Sequence, residues 1–133
     1  MTEVFLDTVG LIALWNSSDQ WHKAADAVYR TLLSQGKRLI TTDLVLIECG
    51  NAAARRPYRS RVNVLRQSFR DQGLLIKATD QDVDDAWAAY DRADAGQAGV
   101  VDQVSFVVMG RLGITEAFTN DRHFQAAGFH TLF

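Results

Sequence analysis

The chain is short of the residues that cross-link, punctuate or anchor a protein. It has one cysteine, Cys49, in 133 residues, so no intrachain disulfide can form, and a reducing compartment is consistent with that. It has one proline, Pro57, and no low-complexity tract, which leaves no sign of an interdomain linker or an internal repeat. No uninterrupted apolar stretch approaches the ~20 residues that a membrane span needs. Positive charge is not in excess: 14 Lys and Arg stand against 16 Asp and Glu, for a formal net charge of -2. A nucleic-acid partner is therefore not announced by overall charge, and any basic surface must be local. The N-terminus does not resemble a signal peptide, because Glu3 and Asp7 come before any basic residue or long apolar run. With 47% hydrophobic residues, the expectation is one soluble cytoplasmic domain over residues 1–133.

What the chain does have is carboxylates set directly against apolar runs. Asp7 closes Val4-Phe5-Leu6, Glu48 ends Leu44-Val45-Leu46-Ile47, and Asp102 interrupts Val100-Val101 and Val104. Asp121 follows the segment from Ile114 to Asn120. A carboxylate beside a core is costly to keep ionised unless it is paired or binds a cation. One acid after a strand is ordinarily a helix cap or a turn residue. Four spread along the chain suggest one site assembled by folding, and Glu48, in mid-run, is the hardest to explain otherwise.

A coarse reading places these acids. Val4 to Leu6 reads as a short buried strand. Trp21, Ala25, Val28 and Leu32 recur at helical spacing between Ser18 and about Gln35, with Gly36 as a stop. Arg38 to Thr41 reads as a strand, and Thr42 or Asp43 can cap a helix to about Ala54. A second amphipathic helix carries Val62, Leu65 and Phe69 and ends at Gly73; Leu74 to Ala78 reads as a third strand. Thr79 with Asp82 has the spacing of a capping box for a helix carrying Val83, Ala86, Trp87 and Tyr90. Asp94 to Gly99 reads as a loop, and Val100 to Leu112 as a largely buried helix stopped by Gly113. A strand from Ile114 to Thr119, a short helix near His123 and a strand from Phe129 to Phe133 complete the order.

Strands alternating with helices predict an α/β layer structure with a parallel sheet. Ligands in such folds collect outside the carboxyl ends of the strands. Asp7 and Asp121 follow predicted strands, the Glu48 helix starts directly after one, and Asp102 falls in the first turn of its helix. Carboxylates within about 5 Å of one another repel by roughly 3 kcal/mol per ionised pair at an effective dielectric of about 20. Several such pairs would exhaust a stability margin of ~5–15 kcal/mol. Either some of the acids hold protons or a divalent cation neutralises them. Oxygen donors without histidine or cysteine favour hard ions such as Mg²⁺ or Mn²⁺.

Val4-Phe5-Leu6-Asp7-Thr8 and Thr42-Asp43-Leu44-Val45-Leu46-Ile47-Glu48-Cys49-Gly50-Asn51 resemble the opening motifs of PIN-domain ribonucleases. Val101-Asp102-Gln103-Val104-Ser105-Phe106, Gly113-Ile114, Phe118-Thr119-Asn120-Asp121-Arg122-His123-Phe124 and Gly128-Phe129 are similar to that family's C-terminal half. The resemblance spans nearly the whole chain and is strongest to VapC-type toxins. It implies a three-layer α/β/α sandwich around a parallel sheet and a Mg²⁺- or Mn²⁺-dependent endoribonuclease acting through metal-activated water. By the same resemblance Asp7, Glu48, Asp102 and Asp121 match the metal-coordinating acids, and Thr119, with Thr8, matches supporting positions. An RNA substrate, a homodimer and a cognate antitoxin are the implied partners. Two positions depart from the pattern: Gly99 stands where many relatives have Ser or Thr, and Gln103 where many have Cys directly after the third acid.

Between Asn51 and Arg70 lie six arginines and no acid, and Arg55, Arg56 and Arg59 are the candidates for RNA contact. Asp80, Asp82, Asp84, Asp85, Asp91 and Asp94 read as a solvated helix face, with Asp94 also considered as an extra acid near the site. His123 is read as part of a connecting helix, Cys49 as packed, and Trp15, Trp21 and Trp87 as core or dimer surface. A haloacid-dehalogenase-type phosphatase would want a second acid two residues after Asp7, where Val9 stands. A receiver domain would want paired early acids and a late lysine, whereas the last lysine is Lys77. A PIN-fold RNA-processing nuclease that is not a toxin, or a binding module that has lost turnover, are the remaining alternatives.

Overall fold

The structure, a computed structural model, describes residues 2–133. Its sheet has five parallel strands: β1 (Glu3–Leu6), β2 (Arg38–Thr42), β3 (Leu75–Ile76), β4 (Glu116–Phe118) and β5 (His130–Thr131). They lie in the order β3-β2-β1-β4-β5, so the strand bearing Asp7 at its end is central. Val4, Phe5 and Leu6 are fully buried, as expected for a parallel strand covered on both faces, and this is why the segment reads as a continuous apolar run. Among the described residues eight helical segments accompany the sheet, and the α/β/α architecture is the expected one.

The helices are α1 (Thr8–Trp15), α2 (His22–Ser34), α3 (Asp43–Ala53), α4 (Arg59–Asp71), α5 (Asp80–Asp91), the single turn α6 (Asp94–Gln97), α7 (Val100–Leu112) and α8 (Arg122–Ala126). The sequence reading did not anticipate α1. Its residues are apolar on nearly every side, so no helical periodicity marks them. Asp7 starts this helix, its carboxylate accepting from Val9 N. The helix expected from Ser18 begins at His22, because Asn16 and Asp19 first fold residues 16–21 into side-chain-bonded turns. The third, fourth and fifth strands are shorter than expected, with pairing limited to Leu75–Ile76, Glu116–Phe118 and His130–Thr131.

Two close fits fix the sheet edge where the acids lie. Gly10 packs on the end of β4 so tightly that a Cβ there would sit 2.0 Å from the Phe118 carbonyl oxygen. This approach brings α1's first turn against the residues that follow β4. On the other side, Thr79 and Asp82 form the expected capping box. Asp82 is not solvated as the sequence suggested: it is buried and takes two bonds from Arg111 of α7, at 3.0 and 2.8 Å. That fork ties α5 to α7, the helix carrying Asp102.

Between these two helices the chain takes a conformation that a sequence does not advertise. Ala93, Ala95, Gly96 and Gln97 have φ of 55°, 55°, 67° and 64°. Each non-glycine residue in that left-handed region costs roughly 1–3 kcal/mol and persists only where surrounding contacts over-determine it. Elsewhere, Trp15 packs against the core, whereas Trp21 and Trp87 are 43% and 48% exposed and are not core residues. Among the described residues no helix is long and apolar enough to cross a membrane.

Candidate active site

Asp7 lies at the centre of the site. It is 1% exposed, positioned by the end of β1 and the start of α1. Its Oδ2 accepts from Thr119 Oγ1 at 2.9 Å and from Val9 N at 3.4 Å. Its Oδ1 is buried and has no hydrogen-bond partner. Burial, reinforced by Asp102, pushes this carboxyl up to about 8, while the Thr119 bond works in the opposite direction. An unpartnered buried carboxylate oxygen next to other acids is costly. It fits a position that a cation or a proton must occupy.

Thr119, just beyond β4, joins two of the acids. Its hydroxyl donates to Asp7 and accepts from Asp121 N at 3.1 Å. Asp121 then caps α8, its Oδ1 accepting from His123 N at 2.9 Å and facing His123 Nδ1 at 2.8 Å. Asp102 occupies the first turn of α7, where Gly99 caps the helix through its extended backbone without a side-chain bond. Burial, then Asp121 and Glu48, push the Asp102 carboxyl up to about 6. Glu48 is half-buried on α3, close enough to Asp102 to contribute to that shift. Ligand atoms of Asp102, Asp121 and His123 lie within 4.8 Å of one another.

The fold thus brings Asp7, Glu48, Asp102 and Asp121 to one edge from four separate segments. Glu48 is less buried than its apolar run suggested, because that run is a helix whose Ile47 and Glu48 turn away from the core. Thr8 is buried beside the Cys49 thiol and its hydroxyl bonds to none of the acids. The thiol itself is fully buried and raised to about 12, chiefly by burial, so it stays neutral. Asp94 is exposed and pairs with Arg92 at 2.9 Å. Arg55, Arg56 and Arg59 are exposed around the α3–α4 connection, and no salt bridge engages them among the described residues. His123 is the residue that the sequence reading undervalued. It does sit in a short helix, yet its ring bonds Asp121, a contact that the two-residue spacing from an N-cap acid could have flagged.

Carboxylates gathered at the carboxyl ends of parallel strands, with a hydroxyl joining two of them, mark a class of α/β protein with an acidic site suited to a cation. The chain belongs to the PIN domain family, which it matches over residues 4–130. It is similar to the 23S rRNA-specific endonuclease VapC20 of Mycobacterium tuberculosis strains CDC 1551 and H37Rv, with 30% identity and 95% of each chain covered. The crystal structure of M. tuberculosis VapC20, described as a sarcin-ricin loop cleaving toxin, superposes with a TM-score of 0.77 at 29% identity, covering 95% of both chains.

Proposed function

We propose that this chain is a Mg²⁺- or Mn²⁺-dependent endoribonuclease and the toxin of a VapBC-type toxin–antitoxin pair, with residues 1–133 forming a single nuclease domain. The observation that carries the metal is Asp7 Oδ1, buried without a partner beside Asp102 and Asp121. Asp7, Glu48, Asp102 and Asp121 are the residues that would hold the ion. The ion, when bound, supplies a more acidic water and offsets charge that builds on the phosphodiester during attack. The chain's own groups prepare the site. Thr119 fixes the spacing of Asp7 and Asp121, and His123 fixes the rotamer of Asp121.

Arg55, Arg56 and Arg59 are assigned to the RNA backbone, because their free guanidinium forks match phosphate oxygens. A structured ribosomal RNA loop is the first substrate to test, given what the VapC20 proteins are described as cleaving. A groove of about 1140 Å³ lined by Leu33, Val64, Leu65, Lys37, Arg38 and Arg61 includes none of the four acids. Its apolar floor and cationic residues suit an amphipathic, acidic antitoxin segment. Trp87 and Tyr90, packed edge to face on α5 and about half exposed, support a homodimer surface. A cytoplasmic location belongs to the same reading, since a ribosomal RNA substrate would be met there.

The test is RNA cleavage by the wild type and by Asp102→Asn in Mn²⁺ and in EDTA. The wild type should cut only with the ion, and Asp102→Asn should lose at least about 100-fold, a loss of electrostatic stabilisation of ~3 kcal/mol. Equal cleavage by the two proteins, or cleavage unaffected by EDTA, overturns the reading. Growth arrest on expression, relieved by an adjacent small gene product, tests the toxin role.

A further inference from the structure

We propose that the left-handed turn Ala93–Gln97 is a substrate-positioning wall of the acid site, and that Gln103 is the positioning residue that holds it there. The inference rests on the nuclease reading above and adds to it the element that aligns the RNA.

The turn is strained. Ala93, Ala95 and Gln97 are non-glycine residues with positive φ, and Ala95, Gly96 and Gln97 are consecutive. Runs of this kind are avoided by L-residues, and where they survive they cluster at ligand clamps and active sites. Glycine at Ala95 and Gln97 would remove the strain at no packing cost, since Gln97 is exposed and Ala95 only half-buried. The chain instead keeps side chains whose restricted backbone makes the turn stiff.

Its restraint is specific. Gln103 is 2% exposed, and its Nε2 donates to the Asp94 carbonyl at 2.9 Å. Ala98, also 2% exposed, anchors the far end of the turn. The Arg92–Asp94 pair is exposed and contributes little. Gln103 follows Asp102 directly, so one helical turn of α7 presents an acid to the site and a buried amide to the wall. The sequence departure noted at this position, glutamine where many relatives have cysteine, therefore has a physical role here.

The wall lies beside the acids. α6 packs on α8, and a Cβ built on Gly96 would sit 3.9 Å from His123 Cδ2. That ring in turn bonds Asp121 at 2.8 Å. Residues 93, 94, 96 and 97 are exposed, and through Gly96 they flank the His123–Asp121 side of the acids, where an RNA strand would meet them. A rigid wall there lowers the ordering cost of binding and sets which phosphodiester meets the acids.

The experiment compares wild type, Gln103→Leu and Ala95→Gly on a labelled hairpin RNA of sarcin–ricin loop sequence. Gln103→Leu keeps volume and removes the donor; Ala95→Gly relaxes the backbone without touching the core, and is decisive should the first variant fold poorly. Both should raise KM about tenfold with kcat within about twofold, leave Mn²⁺ affinity unchanged, and speed amide exchange at residues 95–97. A merely structural role would lower the melting temperature of Gln103→Leu without moving KM in Ala95→Gly. Unchanged KM in a folded variant overturns the proposal, as does a kcat loss accompanied by weaker Mn²⁺ binding, which would assign Gln103 to the acids. Should the wild type bind the hairpin without cutting it, the nuclease reading fails by itself. The wall is then judged by the dissociation constants, and equal values for wild type and Ala95→Gly overturn it.

Discussion

Replacing Asp7 with asparagine should flatten the pH dependence of the metal-free fold above about pH 6, leaving Asp102 to titrate below it. The carboxyl is 1% exposed and is pushed up to about 8, chiefly by burial and next by Asp102. The unfolded chain releases the same proton near its ordinary value of 3.8. Between these values the folded state holds a proton that the unfolded state has lost, so stability falls as pH rises through the window. It is fully present below the unfolded value. A gap of about four pH units corresponds to a loss on the order of 5 kcal/mol. That is a large share of a typical stability margin of ~5–15 kcal/mol.

Asparagine is close in shape to the protonated acid and does not ionise. Its amide oxygen can keep the bonds from Thr119 and Val9 that Oδ2 accepts. Its amide nitrogen then falls where Oδ1 now lacks a partner, at a cost of roughly 1–3 kcal/mol. The two stability curves should therefore cross: wild type equal or stronger near pH 5, variant stronger near pH 9 by about 3 kcal/mol. Urea unfolding in EDTA across that range measures the difference. Saturating Mn²⁺ should stabilise the wild type increasingly as pH rises and should help the variant little. Parallel curves would show that Asp7 is not held neutral by its surroundings, and the electrostatic case for an ion between the acids would fall with them.

The remaining predictions concern other groups in the same frame. Calorimetric titration with Mn²⁺ at about pH 7, in buffers of different ionisation heat, should expel roughly one proton per site, almost all of it from Asp7; release near zero would contradict a neutral Asp7. Gly10→Ala should cost about 3 kcal/mol or more, because its Cβ meets the Phe118 backbone at 2.0 Å, and a thermal melt close to wild type would refute that fit. Arg111→Leu leaves buried Asp82 with only its cap bonds, so urea unfolding should find it less stable than the wild type, and an unchanged midpoint would refute the role of that fork. Arg111 holds the Asp82 carboxyl below its ordinary range. The difference should accordingly persist at neutral pH and fade as acidification protonates Asp82 in both states.

How far the sequence could be read depended on whether a residue's role shows in its neighbours along the chain. Asp7, Glu48, Asp102 and Asp121 were conspicuous because each abuts an apolar run, and the capping box at Thr79 was legible from a spacing of three. α1 is not, because an all-apolar helix has no periodicity, and Asp7, its N-cap, reads equally well as a site acid. Asp82 looked solvated among other aspartates, since its partner Arg111 lies 29 residues away. Likewise, nothing local marks Ala95 or Gln97 as left-handed, for the restraint comes from a buried amide at Gln103. Glu48 is less buried than its neighbours suggest, because an apolar run does not reveal which of its residues a helix turns outward.

These failures share a cause that bears on the site itself. Arg111 and Gln103 are tertiary contacts that offset a local cost, a buried charge and backbone strain, and Thr119, which the sequence does flag, does the same for two acids held together. The costs concentrate at one edge of the sheet, where burial drives Asp7 and Asp102 towards neutrality. A fold selected only for stability would replace Asp7 with a neutral residue, as the asparagine variant should demonstrate at alkaline pH. On the proposed function its presence is explained by an ion bound there, and a divalent cation beside Asp7 would offset the largest of these costs. The same ion should then stabilise the fold more strongly than it would at an exposed acidic patch, and thermal shift with Mn²⁺ should collapse in Asp7→Asn but survive in a surface variant such as Asp85→Asn.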